Sequence, residues 1–287
     1  MSNALRDFLT LIDYRELVHR ERSDFQDIAV VETDPYGRAL FLDGMIQSAA
    51  SDEALYHAAL VHPACLWHGD PQRVLVAGAG EGASLRELLK HPRIGSIIAN
   101  EIDLRLLELV REHLPSWHAG SFDDPRVELV VADVRELIPT LDEASFDLIV
   151  SDLTDPIEDA AQWSAIDDAF VAQLERILSD EGVLAMQFGE LHAFTAEATR
   201  RRAQLLRRHF TNVHFVTLEI PSFNSQWGFG LAAKHPRPFP PEGLLIEMTR
   251  LTGVSLQVPP EGQPFIVDLR SPWAREVGCV DAREPLT

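Results

Sequence analysis

Residues 74–77 (VLVA), 96–100 (SIIAN), 127–131 (VELVV) and 146–150 (FDLIV) are near-continuous apolar runs, each closing on glycine or on acid. Strands of that kind are buried on both faces, and helical patterns such as ASLRELLKH (83–91) and LRLLELVREHL (104–114) supply the cover. Two further runs, VLAMQ (183–187) and VHFVTLEI (213–220), extend the series. The spacing predicts an α/β fold with a Rossmann-like, doubly wound, mostly parallel sheet. Its ligand crevice is expected at the carboxyl ends of the strands.

The flanks read differently. Before Tyr56, FQDIAVVET and RALFLDG alternate around Asp34-Pro35-Tyr36-Gly37, which is a β-hairpin pattern. After His235 come nine of the eighteen prolines, with one helical stretch at LLIEMTRLTG (244–253). The expected division is 1–59 for a small antiparallel β domain, 60–234 for the Rossmann-like domain and 235–287 for a helix and loop-rich tail.

Charge narrows the partners. With 25 Lys+Arg against 45 Asp+Glu the formal net charge is −20, which repels nucleic acid and anionic membranes and attracts small cations. Arg200, Arg201, Arg202, Arg207 and Arg208 have no aromatics among them, the pattern of a solvated helix face. No stretch approaches the roughly 20 apolar residues of a membrane span. Charges interrupt every apolar run at the N-terminus, unlike a secretory signal. Cys65 and Cys279 are too few for a disulfide framework, so a cytoplasmic protein is expected. His57, His62 and His68 lack metal-ligand spacing, and no metal is expected.

The strand ends carry the chemistry. Gly78-Ala79-Gly80-Glu81-Gly82 is a glycine turn that lets backbone approach a ligand. Glu81 places a carboxylate where a phosphate would sit, so a cationic ligand fits and a phosphate does not. Glu101 ends the next strand, where an acid accepts from ribose hydroxyls, and Asp133 ends the third, where it could receive an adenine amine. Each acid alone could be a helix N-cap; the three in order describe an adenosyl site without phosphates. Asp152 and Asp155 follow the fourth strand just before Pro156, a pair suited to binding and deprotonating an amine, or alternatively an Asx turn.

Several segments, in order, resemble the spermidine synthase family of polyamine aminopropyltransferases. They are Leu42-Asp43-Gly44-Met45-Ile46-Gln47, Asp52-Glu53-Ala54-Leu55-Tyr56-His57 and Val61-His62-Pro63. The glycine turn, Glu101-Ile102-Asp103, Asp152-Leu153-Thr154-Asp155-Pro156 and Ile220-Pro221-Ser222-Phe223 complete the set. Phe25-Gln26-Asp27-Ile28-Ala29, Glu81, the run through Ile157-Glu158 and Trp227-Gly228-Phe229 are most similar to the thermospermine synthase branch.

The resemblance implies a methyltransferase-like fold and transfer of the aminopropyl group of decarboxylated S-adenosylmethionine to a polyamine, releasing 5′-methylthioadenosine. The donor is a co-substrate, and no permanently bound cofactor is implied. Gln47, Tyr56, His57, Gly78, Gly80, Glu81, Glu101 and Asp133 would surround it, with Glu81 on its ammonium and Glu101 on its ribose. Asp152 would accept the proton, Asp155 and Gln187 would hold the polyamine, and Phe223 and Trp227 would wall its channel. The N-terminal β region resembles one that mediates dimers or tetramers.

The sequence departs from the family at Glu158-Asp159-Ala160-Ala161-Gln162-Trp163, at Phe223, where a tyrosine is usual, and at Ala58, where a glutamate is usual. The expected acceptor is spermidine. The alternatives are putrescine as acceptor, methyl or aminocarboxypropyl transfer from ordinary S-adenosylmethionine, or polyamine binding without catalysis.

Overall fold

The computed structural model describes residues 14–154, 166–190 and 196–239. Its central strand, β5 of the chain (Arg73–Ala77), shows why the sheet is covered twice. Val74 and Val76 enter one apolar core, while Leu75 and Ala77 enter another on the opposite face.

Four strands precede it: β1 (Tyr14–Arg22), β2 (Asp27–Thr33), β3 (Gly37–Leu42) and β4 (Met45–Ala49), an antiparallel sheet in that order. The expected hairpin is its centre, and Gly37, at φ +68, closes the turn between β2 and β3. One face, with Ile28, Val30, Leu40 and Leu42, joins the same core as Val74 and Val76. The small domain is therefore packed onto the large one.

Helix α1 (Glu53–His68) follows and is buried on nearly every side. The expected division between residues 59 and 60 falls inside it. The chain continues through α2 (Ala83–Leu89), β6 (Ser96–Glu101), α3 (Leu104–His113), α4 (Pro115–His118), β7 (Val127–Val131), α5 (Val134–Leu137) and β8 (Phe146–Ser151). Then come α6 (Asp168–Ile177), β9 (Leu178–Glu190), α7 (Ala196–His209), β10 (Asn212–Ile220) and β11 (Ser225–Ala233). Local sequence sets these starts: Asp103 accepts from Arg105 and Leu106 N–H groups to cap α3, and Asp167 accepts from Phe170 N–H to cap α6.

The large sheet has seven strands in the order β10-β11-β9-β8-β5-β6-β7. The run β9-β8-β5-β6-β7 is parallel, and β10 and β11 add an antiparallel hairpin beside β9. This is the doubly wound, methyltransferase-like α/β fold. Chain order reverses between β5 and β8, so a crevice opens at their carboxyl ends. The stretch 244–253, expected to be helical, lies outside the described residues. Among the described residues no helix is long and apolar enough to cross a membrane.

Candidate active site

The two strands that flank the crevice approach closely because of one glycine. Gly78 lies at φ +86, and a Cβ built on it would stand 2.6 Å from the backbone oxygen of Asp152. Any side chain would push the strand ends apart. The turn is pinned from the other side as well. The Gly78 and Ala79 N–H groups both donate to the Asn100 carbonyl, at 3.0 and 2.8 Å. Asn100 itself, buried, donates to the Ala132 carbonyl at 2.8 Å and so ties β6 to the end of β7.

Glu101 then holds the loop from within. Its Oε2 accepts from Gly80 N–H at 3.0 Å, and Oε1 accepts from the N–H groups of Ile102 and Asp103 at 2.9 and 3.1 Å. Burial pushes this carboxyl up from its ordinary range, against the three N–H groups that favour the anion. Asp133 is half-buried and accepts from Arg135 N–H at 2.8 Å, so one of its oxygens serves as the N-cap of α5.

A second group gathers around Asp152. Tyr56 Oη donates to Oδ1 at 2.8 Å, and Ser84 Oγ donates to Oδ2 at 3.3 Å. His57 Nε2 stands 3.9 Å from Asp152 Oδ2 and 3.4 Å from Glu81 Oε1. On its other side His57 Nδ1 donates to the Glu53 carbonyl at 2.7 Å and lies 3.5 Å from Glu53 Oε2. Arg86 grips both Glu53 oxygens at 3.0 Å and reaches Glu87 at 2.8 Å.

The charges here are tuned by one another. Burial works against the His57 imidazolium, but Glu53, Glu81 and Asp152 outweigh it and lift the ring to about 9. Burial lifts the Asp152 carboxyl, with Glu81 adding to the rise and His57, Tyr56 and Ser84 opposing it. The Tyr56 phenol is held well above its usual range by burial and by Asp152. Three carboxylates (Glu53, Glu81, Asp152) stand around His57, and the Arg86 guanidinium is shared between Glu53 and Glu87, so acids outnumber cations on the His57 side. Such a pocket favours cationic ligands.

Aromatic rings form the wall. Tyr56 meets Phe223 edge-on at 5.9 Å and Phe229 at 5.0 Å, while Phe223 packs on Trp227 at 4.7 Å. Gln187 donates through Nε2 to the Leu153 carbonyl at 2.7 Å. Its Oε1 and the Trp227 Nε1 are buried without a hydrogen bond among the described residues.

The structure thus brings Tyr56, His57, Glu81 and Asp152 together, beside Gly78, and sets Gly80 with Glu101. Gln47 lies on β4, where its Nε2 donates to the Met45 carbonyl at 3.4 Å. Asp155 lies outside the described residues. Ser84, Glu53 and Arg86 were not singled out by the sequence. Nothing local in the sequence signals that a helix-initial serine reaches Asp152, or that Arg86 reaches Glu53 from 33 residues away.

Comparison with known proteins follows the same outline. Residues 53–239 match the spermine/spermidine synthase domain, and residues 7–49 match the spermidine synthase tetramerisation domain. A polyamine aminopropyltransferase of Aeropyrum pernix is 38% identical over 233 residues, spanning 80% of this chain and 74% of that one. A polyamine aminopropyltransferase of Pyrobaculum calidifontis is 42% identical over 217 residues, 74% of each chain. A crystal structure of spermidine synthase in complex with the transition-state analogue AdoDATO superposes with a TM-score of 0.80. It is 26% identical, across 94% of this chain and 90% of that one.

Proposed function

The chain belongs to the spermine/spermidine synthase family and is an enzyme of the polyamine aminopropyltransferase kind, and from that premise we propose its reaction. The aminopropyl group of decarboxylated S-adenosylmethionine passes to an amine of spermidine, giving thermospermine and 5′-methylthioadenosine. The observation that carries this reading is Asp152, a half-buried carboxylate bonded to Tyr56 and standing beside His57 and Glu81.

The carbon next to S⁺ is already activated, so the obstacle is the acceptor. An alkyl amine with a pKa near 10 is protonated at pH 7, and freeing its lone pair costs about 4 kcal/mol at about 1.36 kcal/mol per unit. The Phe223 and Trp227 faces desolvate the methylene chain and depress the ammonium. Asp152, whose proton affinity burial has raised, takes the proton as the nitrogen attacks. The new C–N bond forms as the C–S bond breaks, and the electron pair returns to sulfur as the neutral thioether.

Each remaining group has a role in this reading. Glu101 and Gly80 take the ribose side, and Asp133 takes the adenine through the oxygen not used in capping. Glu81 holds the donor ammonium, and its charge disfavours the carboxylate of ordinary S-adenosylmethionine. Gln187 offers its unpartnered Oε1 to a polyamine ammonium, with Asp155 assisting. Gln47 reaches the donor from β4. Spermidine is preferred over putrescine because of the thermospermine-like segments around Glu81, Asp152 and Trp227. The four-stranded sheet assembles a homodimer or homotetramer, and the catalytic part begins at α1.

Incubating the purified protein with the decarboxylated donor and equal putrescine and spermidine, with products read by mass spectrometry, tests this. Thermospermine with methylthioadenosine is expected. Preferential loss of putrescine would make it a spermidine synthase, and no methylthioadenosine with any amine would overturn the reaction.

A further inference from the structure

Asp52 stands at the N-cap position of α1, where an aspartate ordinarily accepts from the free N–H groups of its own helix. Its side chain caps nothing there. Instead Oδ2 accepts from the Ser222 N–H and Oδ1 from the Ser222 hydroxyl, both at 2.8 Å and from 170 residues along the chain. Asp52 is 5% exposed and Ser222 3%. Stability alone does not call for this arrangement. A buried acid is costly to desolvate, and a helix-capping residue with an apolar neighbour would stabilise the same place without it.

What the bond does is geometric. The Asp52 carbonyl accepts from Tyr56 N–H at 3.0 Å, so Asp52 opens the turn of helix that carries Tyr56. Ser222 is the middle of the 3-10 turn Pro221–Phe223, whose chain reverses at Asn224, φ +50, into β11 and Trp227. The tie thus fixes how Tyr56, bonded to Asp152, packs on Phe223 and through it on Trp227, the continuous aromatic wall of the site. The donor-side groups Gly80, Glu101 and Asp133 hang on the ends of β5, β6 and β7, held by hydrogen bonds made among those strand ends.

We infer that Asp52 and Ser222 are positioning residues that hold the Tyr56–Phe223–Trp227 wall in place on the acceptor side and so set the length of amine the enzyme selects. This rests on the aminopropyl-transfer reading. Neither side chain meets a substrate. They act through the turn that carries Phe223, while Gly80, Glu101 and Asp133 keep their own supports, so their loss falls on the amine rather than on the nucleoside.

The test compares Ser222→Ala, Asp52→Asn and the double variant with the unaltered protein. Steady-state kinetics are measured with spermidine and with putrescine, and methylthioadenosine binding by calorimetry. In each single variant KM for the preferred amine rises about tenfold, the equivalent of about 1.4 kcal/mol. The preference between the two amines shrinks, methylthioadenosine Kd stays within about twofold, and the double variant is no worse than the worse single one. The inference is overturned if amine KM and the preference are unchanged in Ser222→Ala, which keeps the Asp52 carboxylate and the Ser222 N–H. A parallel rise in methylthioadenosine Kd overturns it too, since that marks general damage. An unaltered protein that neither binds methylthioadenosine nor consumes an amine would instead remove the reaction itself.

Discussion

The Tyr56 hydroxyl donates to Asp152 Oδ1 across 2.8 Å, joining a helix to a strand end 96 residues away in sequence. The bond favours the carboxylate and so opposes the rise that burial imposes on the Asp152 acid. In Tyr56→Phe that support is gone and Asp152 holds its proton more tightly. Activity needs the carboxylate, so the acidic limb of the kcat profile moves to higher pH. The displacement is about one unit, from about 1.5 kcal/mol for a hydrogen bond to a charged group at about 1.36 kcal/mol per unit. An unmoved limb in a folded variant would show that Asp152 does not take the proton.

Gly78→Ala tests how the crevice is built. The new methyl would lie 2.6 Å from the Asp152 backbone oxygen, and the residue would have to hold φ +86. Both demands are met only by moving the loop after β8. Backbone strain of this kind costs about 1–3 kcal/mol of stability. A displacement near 1 Å at the proton acceptor costs about a hundredfold in kcat. The variant is therefore expected to fold and to fail as an enzyme, read by a modest fall in Tm beside a large fall in kcat. Gly80, with open space around its Cβ position, is the control for turn strain alone.

What could be read beforehand follows from how local each feature is. The alternation of buried strands and helices is written residue by residue, so the doubly wound sheet was legible from Val74, Ile98, Val130 and Ile149 onward. The strand-end acids were legible because the fold fixes where such ends point. Neither Tyr56 donating to Asp152 nor Asp52 bound to Ser222 has a local pattern, because the partners lie 96 and 170 residues apart. Asp52 was legible only as a residue of a family segment, and Arg86 as part of an amphipathic helix. Similarly, β1 and β4 were hidden because their exposed and half-buried faces give a weak alternation.

His57 makes stability depend on alkaline pH. The ordinary imidazole value is 6.5, and in the folded protein it is lifted to about 9. Below the lower value the ring is charged in both states and the whole stabilisation is present. Between them only the folded form keeps its proton, so stability falls as pH rises, and above the upper value the contribution is lost. The gap corresponds to about 3 kcal/mol at about 1.36 kcal/mol per unit. Urea denaturation from about pH 6 to about pH 9.5 should show this decline, and His57→Gln should flatten it. A steeper decline in the variant would place the charge elsewhere.

Arg86 is the cation that makes the rest of the cluster tolerable. It holds both Glu53 oxygens at 3.0 Å and Glu87 at 2.8 Å, with the Glu53 side chain 9% and the Arg86 side chain 15% exposed. Removing one partner of a buried pair strands the other, which costs about 3–5 kcal/mol, more than the pair itself contributes. Arg86→Met should therefore destabilise by about that amount, while Arg86→Met with Glu53→Gln should recover a large part of the loss. Glu87 remains held by His62 and Lys90 in both variants, at 2.8 and 2.6 Å, so the recovery reports on Glu53. Because Glu53 also faces His57 Nδ1, the single variant leaves His57 its anionic partner and the double variant does not. The double variant should thus be more stable than Arg86→Met at neutral pH yet show the shallower alkaline decline. Chemical denaturation of both at two pH values separates these effects, and additive losses would mean that Arg86 and Glu53 are not coupled.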